Sequence, residues 1–334
     1  MSFLHITNGD DAKGLIVRSG IPGDVSIWPD PLIEGPVPGD ISDAQLRTIR
    51  ARFIAGSGQG ERFQAVLAQL EAWASAVDRR GEYSEAVLWF EHDLFDQLIL
   101  IQILDRVGSV PSSAPVTLIA IDRFPGHEHF KGLGELTPAD LATLFDTRQP
   151  VSSTQIDLAS RAWRAFRGAD PTGIESLLGG DTSALPFLGP ALARHLEEFP
   201  WVGTGLSRSE GRLLQLSVEG PTDIRDTFLR MHEGETHFFI TDRSFWDLAQ
   251  RLSALDPPLL ALHPESDAAH GLPFGTLESA PRGRAVHAGN STARVERSEM
   301  DRWLGGVHLD RRSPMWWWDP VSKRLVQRSA TSGS

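Results

Sequence analysis

Two short segments constrain the fold more than anything else in this chain. Ala86-Val87-Leu88-Trp89-Phe90 and Val116-Thr117-Leu118-Ile119-Ala120-Ile121 are almost continuously apolar, too short for helices, and each ends abruptly in charged residues. Uninterrupted apolar runs of this length describe strands covered on both faces, as in a parallel sheet, because a half-exposed strand would alternate. Phe3-Leu4-His5-Ile6-Thr7 and Val25-Ser26-Ile27-Trp28 read as two further strands. Helical spacing separates them. Asp11 to Ser19 is a short helix stopped by Gly20, and Ser42 to Ile54 aligns Leu46, Ile49 and Phe53. Glu61 to Val77 aligns Phe63, Val66, Leu67 and Leu70, and Leu94 to Val107 follows the third strand. Alternating strands and helices predict an α/β fold, a doubly wound, mostly parallel, Rossmann-like sheet over residues 1–150.

The chain has 334 residues, a length suited to two domains. A helical linker is expected over 151–200, a winged-helix-like α+β domain with a C-terminal hairpin over 201–328, and a disordered tail over 329–334. Ser153 or Thr154 begins a linker helix that carries Trp163 and Phe166. Ser207-Arg208-Ser209-Glu210 is a capping box. Helices at about Ser207–Val218, Thr222–Met231 and Asp242–Ala254 precede strands at Pro257–Leu262, Phe274–Leu277 and Gly283–Val286, the order of a winged helix-turn-helix. Asp301 to Leu309 and Met315 to Asp319 read as two strands joined by the turn Asp310 to Pro314, with the tryptophans closing a core.

With no cysteine present, disulfides, thiolate metal sites and cysteine nucleophiles are excluded. No apolar run approaches the ~20 residues of a membrane span, and the N-terminus has no signal-peptide pattern. A cytoplasmic protein with no membrane partner is expected. The net charge of −12 is uneven: 17 acidic and 16 basic residues lie from Trp201 onward, leaving 27 acidic against 16 basic before it. An acidic first half is a poor partner for phosphate backbones, which bind through Lys and Arg. It suits a cationic, metal-bound or neutral ligand. Ten basic and five acidic residues from Ala280 onward keep nucleic acid open as a partner of the C-terminal half alone. On the third helix of that half, Phe245, Trp246, Leu248 and Leu252 serve packing and two aspartates interrupt the basic residues, which disfavours reading DNA.

Ligands of open α/β sheets sit beyond the carboxyl ends of the strands, so the residues there are the site candidates. They are Asn8 and Asp10 after strand one (with His5 inside it), Asp30 and Glu34 after strand two, Glu91, His92, Asp93 and Asp96 after strand three, and Asp122 and Arg123 after strand four. Oxygen and imidazole donors without sulfur would suit Mg²⁺, Mn²⁺ or Zn²⁺. No HExxH spacing supports this, and Gly9 alone before the first helix makes no dinucleotide fingerprint. Crowded carboxyls raise one another's pKa, so one of Glu91, His92 or Asp93 is the candidate general base of a metal-assisted hydrolase, with Arg123 orienting an anionic substrate group. Each residue also has a structural reading. Asp10 and Asp93 stand at helix N-termini, Asp30 in a turn, and His5 in a core strand. The expectation is a polar small-molecule site, binding or hydrolytic. The alternative is a ligand-sensing transcriptional regulator.

Four segments, His5-Ile6-Thr7-Asn8-Gly9-Asp10, Trp28-Pro29-Asp30-Pro31-Leu32-Ile33-Glu34-Gly35-Pro36-Val37-Pro38, Trp89 to Leu98 and Ile121-Asp122-Arg123-Phe124-Pro125, resemble the bacterial "domain of unknown function 1835" family over roughly the first 150 residues. Leu185-Pro186-Phe187, Gly205-Leu206-Ser207-Arg208 and Arg302 to Leu309 resemble its longer members. The resemblance implies a fold and no activity. Where a typical winged module has a leucine–threonine pair before a glycine–arginine turn, this chain has Glu278-Ser279-Ala280-Pro281.

Overall fold

The computed structural model describes residues 2–56, 60–128, 130–265, 271–313 and 315–327. The expected tail over 329–334 and Pro314 of the expected Asp310–Pro314 turn lie outside them. The chain divides into two compact units, the first ending at Leu192 and including Trp303–Val307, the second comprising the rest.

The first unit is built on β1 (Phe3–Thr7), α1 (Asp10–Arg18), β2 (Asp24–Ile27), α2 (Asp43–Ile54), α3 (Glu61–Asp78), β3 (Glu85–Glu91), α4 (Leu94–Ser109), β4 (Val116–Ile121), α5 (Pro138–Phe145), β5 (Gln149–Pro150), α6 (Ser153–Arg167) and α7 (Thr172–Leu178). The strand order is β2-β1-β3-β4-β5. The first four strands are parallel and β5 runs antiparallel to β4, so the sheet is mixed. The apolar run of β3 occupies the centre, where Ala86 to Phe90 are 1% exposed or less. Alternate side chains serve opposite faces. Val87 and Trp89 join Ala12, Leu15 and Ile16 of α1 and Leu141 and Leu144 of α5 in one core cluster. Ala86, Leu88 and Phe90 project to the other side. The helices expected in a 151–200 linker are divided, since α6 packs on α4 within the first unit. Local signals set most helix starts. Thr137 caps α5 with Pro138 at its first position, Asp93 caps α4, and α6 begins at Ser153, as expected, behind a Ser152 capping box.

Trp303–Val307 belongs to the first unit through backbone bonds from Val37 to Gly305 and from Gly306 to Phe166. A Cβ on Gly306 would lie 1.8 Å from the Arg167 carbonyl oxygen, so only glycine permits this approach.

After α8 (Leu188–Leu196) come α9 (Arg208–Leu216), β6 (Thr222–Asp223), α10 (Ile224–Met231), α11 (Asp242–Ser253), β7 (Leu260–Pro264), β8 (Gly275–Ser279) and α12 (Pro281–His287). Strands β6, β8 and β7 form an antiparallel sheet in that order. Two expectations are corrected. Gly283–Val286 is helical and no strand, because Pro281 at the first helical position presets the backbone for α12. The C-terminal strands do not form a single hairpin. β9 (Arg302–Leu304) pairs with β10 (Val307–Leu309), and β11 (Trp316–Asp319) with β12 (Arg324–Gln327). A turn at Gly305-Gly306 closes the first hairpin inside what reads as one strand. Trp317 and Trp318 are buried, as expected of aromatics that close a core.

The loop after β2 depends on one buried ion pair. Arg50 Nη2 donates to Asp30 Oδ1 at 2.6 Å, and its other N–H groups reach the carbonyls of Glu34 (2.6 Å) and Pro31 (2.9 Å). Both side chains are nearly inaccessible. Removing one partner leaves the other charge buried without compensation. Arg50→Met should therefore lower stability by about 3–5 kcal/mol, read as an earlier midpoint in urea unfolding followed by tryptophan fluorescence.

Candidate functional site

Reversal of strand order defines the site. From β1 the chain moves to β2 on one side, then returns across β1 to place β3 on the other. A crevice opens at such a switch point, beyond the carboxyl ends of the two central strands. Here it is an open cleft of about 360 Å³ lined by Asn8, Gly9, Asp10, Asp11, Glu91, Phe95, Lys131, Gly132 and Glu135, among others.

At its base three carboxyls crowd together. Asp96, fully buried in the first turn of α4, accepts from Asn8 Nδ2 at 2.7 Å and from the Glu91 backbone N–H at 2.6 Å. One carboxylate thus ties the end of β1 to the end of β3. Asp93 caps α4 by accepting from the Asp96 N–H at 2.9 Å. Gln97 Nε2 donates to the Glu91 carbonyl at 2.6 Å. The Glu91 side chain accepts from the Leu133 N–H through Oε1. A Cβ on Gly132 would stand 2.4 Å from Glu91 Oε2, so the loop presses bare backbone against the carboxyl.

This crowding sets the proton inventory. Burial, then the Asp93 charge, push Glu91 up to about 8, with the Leu133 N–H opposing. Burial raises Asp93 to about 6 against its helix-capping bonds. Burial and the charges of Glu91 and Asp93 raise Asp96 well above the carboxylate range. Glu91 therefore keeps its proton at neutral pH, and with Oε1 engaged by Leu133 the proton belongs on Oε2. The site offers a neutral carboxylic acid, which can donate a proton or a hydrogen bond.

The structure brings together only part of the predicted set. Asn8, Glu91, Asp93 and Asp96 meet, and Asp10 is exposed on the cleft rim. The others lie elsewhere. His5 is a core residue whose Nδ1 accepts from Trp89 Nε1 at 3.1 Å while Nε2 faces the Pro22 carbonyl at 3.2 Å. Because an indole nitrogen only donates, His5 carries its proton on Nε2, and burial lowers its pKa. Asp30 is committed to Arg50, and Glu34 contributes its backbone carbonyl to the same guanidinium. Arg123 is exposed and paired with Asp122 at 2.8 Å, a bond that lowers the Asp122 pKa. His92 is buried with its ring edge-on to Phe187 at 6.3 Å. Neither His92, Asp122 nor Arg123 lines the cleft.

The residues do not fit the expected divalent metal. Among the described residues no group of three or more His, Asp or Glu is arranged to hold one. Asp96 accepts from the Asn8 side-chain amide through one oxygen and from the Glu91 N–H through the other, and Asp93 is occupied in capping, so these carboxyls are engaged by N–H donors.

Lys131, Gly132 and Glu135 were not singled out by sequence as site residues. They sit in or beside Gly132-Leu133-Gly134-Glu135, which reads as the start of a helix. The paired glycines were the available signal, because such residues mark close backbone approach.

Two outcomes follow from the carboxyl geometry. Folding raises the Glu91 pKa from its ordinary 4.5 to about 8, so the native state holds the extra proton between these values and loses stability as pH rises through them. The Glu91 contribution to the unfolding free energy should fall by roughly 3–4 kcal/mol between pH 5 and pH 8, and Glu91→Gln should remove most of the slope above pH 6.5 in urea titrations. Gly132→Ala should destabilise by about 1–3 kcal/mol through overpacking, measured the same way at pH 6.

No protein-family model matches this chain, and no curated protein matches it.

Proposed function

We propose that the cleft beyond β1 and β3 binds a small, polar, neutral or cationic molecule, and that Glu91 exchanges a proton with it as general acid or base. The observation that carries this reading is Glu91 itself, a carboxyl that keeps its proton at neutral pH in the wall of the switch-point cleft. Proton inventories perturbed by burial and a charged neighbour, inside a cleft, mark functional sites. The ligand's charge follows from the rim, where Asp10, Asp11 and Glu135 outnumber Lys131. An anionic group would meet net repulsion there. Hydrolysis is the reaction class that asks least of such a site, with Glu91 moving the proton between water and leaving group. Asn8, fixed by Asp96, supplies a positioned amide beside it.

The same reading places the first half with the "domain of unknown function 1835" family, on its four strand-end motifs, and takes the second unit as a winged-helix-like module. The β6-β8-β7 order, with one helix before β6 and two between β6 and β7, supports the latter. Nucleic acid is not its partner on this view. On α11, Arg243 pairs with Asp247 at 2.7 Å and Arg251 with Glu210 at 2.9 Å, so the helix offers no unmatched basic face.

Thermal shift over a panel of polyols, amines, carboxylates and phosphate esters tests the proposal. Amines or neutral polar compounds should raise the melting temperature of the wild type, and Asp10→Asn combined with Glu135→Gln should weaken the amine shift at least several-fold. Stabilisation by carboxylates or phosphate esters alone would contradict it.

A further inference from the structure

A cavity of about 390 Å³ lies wholly within the second unit. Its apolar wall includes Leu206, Leu214, Met231, Phe238, Ile240 and Val286, all buried. Protein interiors are close-packed and leave few voids larger than a water molecule. A space of this size, walled by side chains and floored by polar groups, has the dimensions of a small-molecule site.

The polar side is one stripe of α9. Arg208, Gly211, Arg212 and Gln215 recur at helical spacing and all line the cavity. The charges on the stripe are unevenly matched. Arg194, buried behind it, donates from all three of its nitrogens, to Glu235, Glu198 and Ser209. Glu235 is saturated too: Oε1 accepts the N–H groups of Thr236 and His237, and Oε2 that of Arg194 Nε. Arg208 is different. It spends Nη1 on Glu197, and its Nη2 only approaches Glu235, at 3.6 Å. Arg212 reaches the neutral acceptors Gln215 and the Arg230 carbonyl at 3.2 Å and stands 3.6 Å from Glu233, which is largely in solvent. Arg212 therefore faces the cavity with its nearest carboxylate 3.6 Å away, and one turn before it Arg208, ion-paired to Glu197 through Nη1, keeps its Nη2 edge toward the same space.

We infer that this cavity binds an amphipathic organic carboxylate. The apolar body lies against Met231, Phe238 and Ile240, and the carboxylate sits between Arg208 and Arg212, where guanidinium groups recognise it by paired N–H donors. Gly211 leaves room between the two arginines, since a Cβ there would meet nothing within 4 Å.

That space provides the test. Gly211 lines the cavity and has open space at its Cβ position, so Gly211→Leu puts a side chain into the cavity, and replacing a mid-helix glycine favours the helix. Fluorescence titration with 1-anilinonaphthalene-8-sulfonate should show one site on the natively folded wild type. Octanoate should displace the dye at a concentration at least tenfold below that required of octylamine. Gly211→Leu should melt at the same or higher temperature and bind no dye. The double variant Arg208→Gln/Arg212→Gln should lose the preference for octanoate. Absence of dye binding by the wild type, unchanged binding by folded Gly211→Leu, or displacement by octylamine as readily as by octanoate would each overturn the inference.

Discussion

The first unit turns on the placement of Asp96. A carboxylate with no access to solvent is costly unless its oxygens are matched, and here one oxygen takes the Asn8 amide and the other the Glu91 N–H. Those partners stand at the ends of the two strands flanking the switch point. The side chain that fixes the strand ends in register therefore also brings the Glu91 carboxyl to the cleft and the Asn8 amide beside it. Structure and chemistry share one bond network, and the raised pKa of Glu91 is a consequence of packing three acids where the sheet needs only one.

Buried charge is handled differently in the two halves of the chain. In the first unit Asp30 is neutralised by Arg50, while the hydrogen bonds to Glu91, Asp93 and Asp96 come from backbone and amide donors and burial raises the pKa of all three. In the second unit the buried acids have guanidinium partners. Burial alone would raise Glu210, yet Arg302 and Arg251 bring it down to about 2, and Glu198 is lowered by Arg194 in the same manner. Carboxyls with cations beside them act as fixed struts over the ordinary pH range. Carboxyls without them have raised pKa values, and Glu91, Asp93 and Asp96 of the first unit are of this kind.

Much of the α/β sheet was legible because its signals are local. The runs at β3 and β4 needed no partner to be recognised, since continuous apolarity has few other uses at that length. Asp93 before Leu94 announced a helix through a hydrogen bond spanning three residues. Failures came where pairing is distant or one residue decides. Gly283–Val286 has strand-compatible composition, but Pro281 had already committed it to a helix. The two tryptophan-bearing segments resemble each other's partners, yet each pairs with a neighbour nearer in sequence.

Sequence alone determined which residues end the strands, and therefore that acids, an amide and a histidine would gather along one edge. It also determined the α/β class, through the period of its apolar residues. Which of those side chains face a common space was decided only in three dimensions. His5 and Glu91 both belong to parallel strands rich in apolar residues, but side-chain direction alternates along a strand and each position's partner lies tens of residues away. His5 met Trp89 and became part of the core, Arg123 met its own neighbour Asp122, and Glu91 met the backbone of Leu133 at the cleft. No local pattern encodes the encounters of His5 and Glu91, because burial, and with it the pKa, belongs to the packed sheet and not to any segment of it.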